Sequence, residues 1–366
     1  MKYLFFFVHP SKFHVFKNTI NYLQKNGHEV KVLITSKDVL EDLVKTENWN
    51  YENIFPEGRK IKGLPPYLSA SINLIKTIKR LSKYTREKKY DLFITDDLLV
   101  VNGWLKKIPT ILFQDDDVTA VPETAFLHYF ADHILTQNYS YMGKNENKKI
   151  PMYSYKELGY LHPNKFTPDY SLIKKINPQE EDYFILRLVS LRATHDTGKK
   201  GLNNNDVNRL IAILEKHGKV YISSEREMPE KFEKYRIPIP ITKIAHALYY
   251  AKLLISDSQT MSAEAGVLGT PYIRFNDFVG KISYLADLED NYRLGYGILT
   301  KNKNELFEKV EELLALDNLH ELWQKKRERM LSDKIDLTKF MIWLFENYPN
   351  SVNIIKDNPK YQFKIG

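Results

Sequence analysis

The chain has 366 residues, 43% hydrophobic and 27% charged, which calls for two globular domains and leaves apolar material for both cores. It contains no cysteine, which excludes disulfides, thiolate metal sites and a cysteine nucleophile and agrees with a cytoplasmic protein. The formal net charge of +8 does not predict a nucleic-acid partner, because the basic residues are scattered among acidic ones without a recognisable binding signature; it fits an anionic sugar nucleotide or peripheral contact with an acidic membrane surface.

Tyr3–Val8 is an apolar run that predicts a buried strand; it is too short to span a bilayer and lacks the flanks of a signal peptide. Phe13, Phe16, Ile20 and Leu23 recur at helical spacing within residues 12–25, and Gly27 suits the left-handed residue that closes a helix. Strands are predicted at 29–34, 91–95, 110–113 and 133–136, with a basic amphipathic helix over 68–88 and a short helix through Trp104. Residues 153–181 are irregular, with Leu161-His162-Pro163-Asn164 poor material for helix or strand, and predict the crossing between domains. A second set of alternating elements follows: strands at 182–191, 219–223, 253–256 and 272–275, and helices at 206–216, 245–251, 304–316 and 319–331, with Asn304 as a cap. Such alternation implies parallel sheets covered on both faces. The expected division is residues 1–178, residues 179–333, an apolar helix at 334–348 that returns to the first domain, and a tail at 349–366.

The segment Leu253–Pro271 carries the most chemistry. A short apolar strand runs into Ser256-Asp257-Ser258, a turn and helix cap, and a helix of small residues ends at Gly269-Thr270-Pro271. The free N–H groups and positive dipole end of such a helix suit a phosphate. The backbone of Ser258, Gln259, Thr260 and Met261 is therefore expected to cap the phosphates, and Glu264, about one and a half turns in, to receive ribose hydroxyls. An ordinary strand–helix unit whose cap binds nothing would have the same spacing.

Several motifs together carry a resemblance. They are Phe13-His14-Val15-Phe16 with Asn26-Gly27-His28-Glu29-Val30, Tyr155-Lys156-Glu157-Leu158-Gly159-Tyr160-Leu161-His162-Pro163, Arg187-Leu188-Val189-Ser190 with Ala193-Thr194-His195-Asp196, the Ser256–Ala265 block, and Leu268-Gly269-Thr270-Pro271 with Arg274. The chain resembles an archaeal and bacterial family of unknown function grouped with GT-B proteins, over about residues 1 to 348. Its relatives look like lipid-A-disaccharide synthase, the peptidoglycan N-acetylglucosaminyltransferase and the non-hydrolysing UDP-N-acetylglucosamine 2-epimerase. The resemblance implies a GT-B fold, two doubly wound Rossmann-like domains facing across a cleft. It also implies a nucleotide sugar, UDP-linked, as substrate and no metal or cofactor.

Glycosyl transfer to a glycan or lipid-linked acceptor, in surface polysaccharide or glycoconjugate assembly, is the first activity implied. His14 would take the acceptor proton, with a pKa near working pH; a helix-capping or core-edge histidine is the alternative. Arg187, Arg192 and Lys199 are candidates for diphosphate charge, and the segment 241–244, including Ile244, for holding the base. Epimerisation is the second activity, for which Asp96, Asp115, Glu123 and His195 lie in comparable places, with solvated loop carboxylates and a surface histidine as the alternative; Asp196-Thr197-Gly198 stands where epimerases continue Arg-Arg-Glu. A catalytically silent sugar-nucleotide-binding module is the third. Asp115 and Asp117 also resemble a metal-binding carboxylate pair, but are expected instead to cap the following helix or face a sugar ring.

Overall fold

The computed structural model describes residues 1–37, 39–59, 66–86, 89–190 and 200–365. Its chain divides into two compact units, residues 1–160 with 335–366, and residues 161–334.

The first unit is built on a parallel sheet of seven strands: β1 (Lys2–Phe7), β2 (Glu29–Ile34), β3 (Tyr51–Asn53), β4 (Leu92–Thr95), β5 (Thr110–Phe113), β6 (His133–Gln137) and β7 (Lys149–Met152). Their order is β3-β2-β1-β4-β5-β6-β7. The central strand β1 is buried on both faces, as a continuous apolar run must be in a covered parallel sheet. Tyr3, Phe5 and Phe7 pack on one side and Leu4 and Phe6 on the other, following the two-residue period of a strand. The helix Pro10–Lys25 opens with proline, fitting a position that needs no N–H, and lays Phe13, Phe16, Ile20 and Leu23 on the first of these faces. Gly27 takes the left-handed conformation expected of it, at φ 83°.

The helix Leu337–Glu346 covers the same face. Phe345 packs edge-on against Phe5 at 6.1 Å, and the Tyr3 hydroxyl donates to the Phe345 carbonyl at 3.1 Å. The expectation of a tail from residue 349 is corrected: Asn350–Asp357 is a helix that buries Val352 and Ile355 in this core. Gln362, fully buried, accepts from the Tyr153 N–H at 2.8 Å and donates to the Pro151 carbonyl at 3.1 Å. Three apolar residues in eight, only two of which are buried, make too weak a periodicity to separate a docked helix from a tail. The first unit also ends at Tyr160 rather than near residue 178. The helix Tyr170–Ile176 belongs to the second unit because Tyr170 packs on Tyr250 at 5.1 Å and the Asp169 N–H donates to His246 at 3.0 Å.

The second unit holds β8 (Tyr183–Leu188), β9 (Lys219–Ser224), β10 (Leu253–Ser256), β11 (Tyr272–Phe275) and β12 (Gly295–Ile298), all parallel, in the order β12-β11-β10-β8-β9. Strand β12 was not legible as one, its Gly295 and Gly297 being poor strand formers. The helix after it begins at Lys303, so Asn302 precedes it and Asn304 lies inside its first turn, not at the cap.

Gly103 shows how tightly the first unit packs. A Cβ there would lie 2.1 Å from the Thr110 methyl and 2.9 Å from the Ile108 carbonyl oxygen. Gly103→Ala should raise helix propensity by up to about 1 kcal/mol yet lower stability by about 1–3 kcal/mol through overpacking. The urea midpoint decides the sign, and a higher midpoint would show that the helix can back away from β5.

Candidate functional site

In each sheet the chain leaves a central strand toward one side and later returns on the other, so a crevice opens at the carboxyl ends of two neighbouring strands. The crevice lies between β8 and β10 in the second unit and between β1 and β4 in the first. The candidate residues cluster at these two places.

In the second unit, β10 ends at Ser256 and the helix Gln259–Leu268 starts three residues on. The Ser258 hydroxyl caps it, accepting from the Met261 N–H at 3.2 Å, and the Ser258 N–H itself donates to the Ser256 hydroxyl at 2.8 Å. Two of the four N–H groups expected at the phosphates are thus satisfied internally. Those of Gln259 and Thr260 have no partner among the described residues. With no acidic residue in the first turn, this end keeps the positive field of the helix dipole. Glu264 is half-buried in the second turn, and Gly269 closes the helix at φ 76°.

The floor of this site is a buried polar network. Asp257 accepts from the Val189 N–H at 2.7 Å, and burial pushes its carboxyl up to about 6, although that N–H and the nearby Arg226 pull the other way. Asn276 donates to the Asp257 carbonyl at 3.0 Å and accepts from Arg274 at 3.2 Å. Arg274 grips Glu289 with two parallel bonds of 2.8 and 2.9 Å, the fork geometry that lysine cannot make.

Arg187, at the end of β8, differs from the expected phosphate-facing cation. It is buried, donating to the Ser223 hydroxyl at 2.8 Å and paired with Glu225. Its charge is compensated by that carboxylate. The Ile244 side chain is buried in the core, leaving the backbone and the exposed Ile241 as the surface a base could meet. Arg192, His195 and Lys199 lie outside the described residues.

In the first unit, Asp115 stands just beyond β5, bridged by two lysines. Lys12 reaches its Oδ1 and Lys156 its Oδ2, each at 2.6 Å, and all three residues are buried. Burial alone would raise the Asp115 carboxyl, but the two ammonium groups outweigh it and hold the group well below the usual carboxylate range. This corrects the expectation that Asp115 caps a helix. Asp117 likewise accepts from the Tyr141 N–H at 2.8 Å. The pair could not both turn to one cation without giving up these bonds, and among the described residues no cluster of three acidic or histidine side chains has metal-ligand geometry.

Asp96, just beyond β4, behaves in the opposite way. Its Oδ1 is buried without a hydrogen-bond partner among the described residues. Burial pushes the carboxyl up to about 7; Lys12 and Arg59 pull it down, and Asp97 and Asp115 push it further up. Two neighbouring carboxyls are thereby set apart, one locked as the anion and one poised to take or give a proton near neutral pH. His14 does not share that poise: burial, with the Lys17 charge, lowers it to about 4. Its ring lies 5.2 Å from Tyr160 and 5.3 Å from Phe13, so the expected working-pH pKa is corrected by its half-buried aromatic setting. Glu123 is exposed on the one-turn helix Pro122–Thr124.

Sequence reasoning missed Lys12 and Lys156 as site residues. They lie 103 and 41 positions from Asp115, and no local pattern marks a lysine that will be buried against a distant carboxylate.

The chain matches no protein-family model and no curated protein sequence, so the family of unknown function suggested by the motifs is not shown. Solved structures do match. The UDP-GlcNAc 2-epimerase of Neisseria meningitidis, bound to UDP-GlcNAc, is 14% identical with a TM-score of 0.63 and covers 95% of this chain and 100% of its own. MurG of Acinetobacter baumannii is 16% identical with a TM-score of 0.57, covering 94% of this chain and 99% of its own. The spinosyn rhamnosyltransferase SpnG, complexed with thymidine diphosphate, is 13% identical with a TM-score of 0.60, covering 95% and 100%. The likeness over nearly the full length, with two parallel sheets of seven and five strands, shows that the chain has the GT-B fold.

Proposed function

We propose that the protein is a nucleotide-sugar-dependent, metal-independent inverting glycosyltransferase, with the second unit holding the nucleotide and Asp96 of the first handling the proton. The observation that carries this reading is Asp96, pushed up to about 7 at the strand crevice without a partner for its Oδ1 among the described residues. In its ionised form it would take the proton of an acceptor hydroxyl as that oxygen attacks the anomeric carbon. The bond from that carbon to the diphosphate oxygen breaks, and the nucleoside diphosphate leaves with the electron pair. The N–H groups of Gln259 and Thr260 would stabilise the charge that develops there. Glu264 would take the ribose, and the backbone around Ile244 the base. The uracil and thymidine nucleotides named with the epimerase and rhamnosyltransferase structures support a nucleoside diphosphate as the leaving group. A glycan or lipid-linked alcohol is the proposed acceptor, in surface polysaccharide or glycoconjugate synthesis.

A UDP-N-acetylhexosamine 2-epimerase is favoured by one observation, that Asp96 and Asp115 sense each other's charge beside Lys12 at the carboxyl ends of two neighbouring strands. Such a group of side chains suits removal and return of a C2 proton.

Calorimetric titration with UDP, with GDP and dTDP as controls, should show selective UDP binding. Glu264→Ala should weaken it on the order of 10- to 100-fold, the range for losing charge-assisted hydrogen bonds; unchanged affinity would displace the ribose from this helix. Incubation of UDP-sugars in deuterated water then separates the activities. Deuterium at C2 without an acceptor means epimerisation, and sugar transfer without exchange means the transferase. Binding without turnover leaves a silent module, and the absence of nucleotide binding would remove the reading altogether.

A further inference from the structure

Three helices cover the Leu4/Phe6 face of the seven-stranded sheet: Pro66–Thr85, Leu99–Lys106 and Ala125–Phe130. They are held edge to edge. Asn102 donates to the Ile78 carbonyl at 3.2 Å and the Ser82 hydroxyl at 2.8 Å, Lys106 donates to the Thr85 carbonyl at 2.7 Å, and the Trp104 and Phe130 rings meet at 5.5 Å. The inner side of this layer is ordinary core, formed by Leu81, Leu99, Val100 and Leu127.

Its outer side is not an ordinary surface. Ile72, Ile75, Trp104, Leu105, Phe126 and Tyr129 are all exposed, from 37% at Ile72 to 69% at Tyr129. Scattered exposed apolar residues need no explanation, but six on one layer of touching helices make a patch. The longest of the three helices contains Lys76, Lys79, Arg80 and Lys83 and no acidic residue. At about 100° per residue, Ile72, Ile75, Lys76, Lys79 and Lys83 fall on one arc, opposite the buried Thr77 and Leu81. The three lysines are exposed and form no ion pair among the described residues. Lys107, exposed, directly follows the helix that carries Trp104 and Leu105, and Lys148 lies 5.9 Å from the Tyr129 ring centre. No described helix is long and apolar enough to cross a membrane.

We infer that this outer helical face docks the protein on an anionic lipid bilayer, with the aromatic and aliphatic side chains entering the headgroup boundary and the lysines facing acidic headgroups. The two features must be explained together. A second copy of the chain would set one row of lysines against another. Apolar side chains with a Trp and a Tyr among them, mixed with lysine on the same arc, match the interface between headgroups and acyl chains. Each attraction alone binds weakly, and their sum gives stable, reversible attachment.

The test is co-sedimentation of the full chain with phosphatidylcholine vesicles and with vesicles of phosphatidylcholine mixed with phosphatidylglycerol. Binding is expected to the mixed vesicles only, and to be largely lost at about 1 M salt, where screening shortens to about 3 Å. Two variants on different helices probe the two contributions: Lys76→Glu with Lys79→Glu and Lys83→Glu, and Trp104→Ser with Leu105→Ser. Each should lower partitioning by roughly tenfold or more while leaving the circular dichroism spectrum unchanged. Equal binding to neutral vesicles, or full binding by both folded variants, would overturn the proposal. So would sedimentation-velocity self-association abolished by Trp104→Ser with Leu105→Ser, which would assign the face to a second copy.

Discussion

Asp96→Asn should lower turnover by about 10²- to 10⁴-fold, the usual contribution of a positioned acid–base group, while making the folded protein more stable at pH 8. The two effects have one origin. The folded carboxyl is raised from 3.8 to about 7, so the native state binds this proton more tightly than the unfolded chain. Between those values the native group is protonated and the unfolded one is not, and stability falls as pH rises through this window. Above about 7 the native state carries a buried charge, and the isosteric amide removes it. The expected gain at pH 8 is on the order of 2–4 kcal/mol, shrinking toward zero near pH 4. If the proposed transfer reaction holds, kcat/KM of the wild-type protein should rise as pH rises through about 7, because the base must be ionised. Urea midpoints at pH 4 and pH 8, with a pH–rate profile of the wild type, check both halves. A variant that keeps its rate would remove Asp96 from the mechanism; a variant less stable at pH 8 would show that the carboxylate is held by a favourable contact.

The second large effect concerns stability alone. Glu289→Ala strands the Arg274 guanidinium, which is 1% exposed and left with Asn276. Removing one partner of a buried pair lowers stability by about 3–5 kcal/mol. The double replacement Arg274→Met with Glu289→Leu should recover most of that, since an apolar pair of similar volume carries no stranded charge. Because Asn276 links Arg274 to the Asp257 carbonyl, even a stable double variant should bind UDP more weakly by shifting the end of β10. Denaturation midpoints of the single and double variants, read with UDP titration of the double variant, separate these effects. A loss under about 1 kcal/mol for Glu289→Ala would mean that water reaches the guanidinium.

Much of the fold was legible because its signals are local. The strands 29–34, 110–113 and 272–275 lie where the apolar runs placed them, since a run of buried β-branched and aromatic residues has few other uses. The cap at Ser258 and the left-handed Gly269 follow from chemistry spanning four residues. The short strands Tyr51–Asn53 and Lys149–Met152 were missed, because three or four residues on the outer flanks of a sheet are held by pairing with a neighbour rather than by pattern.

The candidate site divides in the same way. The amino-acid sequence by itself determined the class of architecture and the helix end in the second unit, because period, turn residues and capping act between neighbours along the chain. Tertiary structure alone decided that Lys12 and Lys156 neutralise Asp115, that Arg187 is occupied by Glu225, that Arg274 holds Glu289, and that Asp96 rather than His14 titrates near neutrality. Desolvation and Coulomb energy depend on which groups surround a side chain in space, and in this fold those groups come from distant strands and helices.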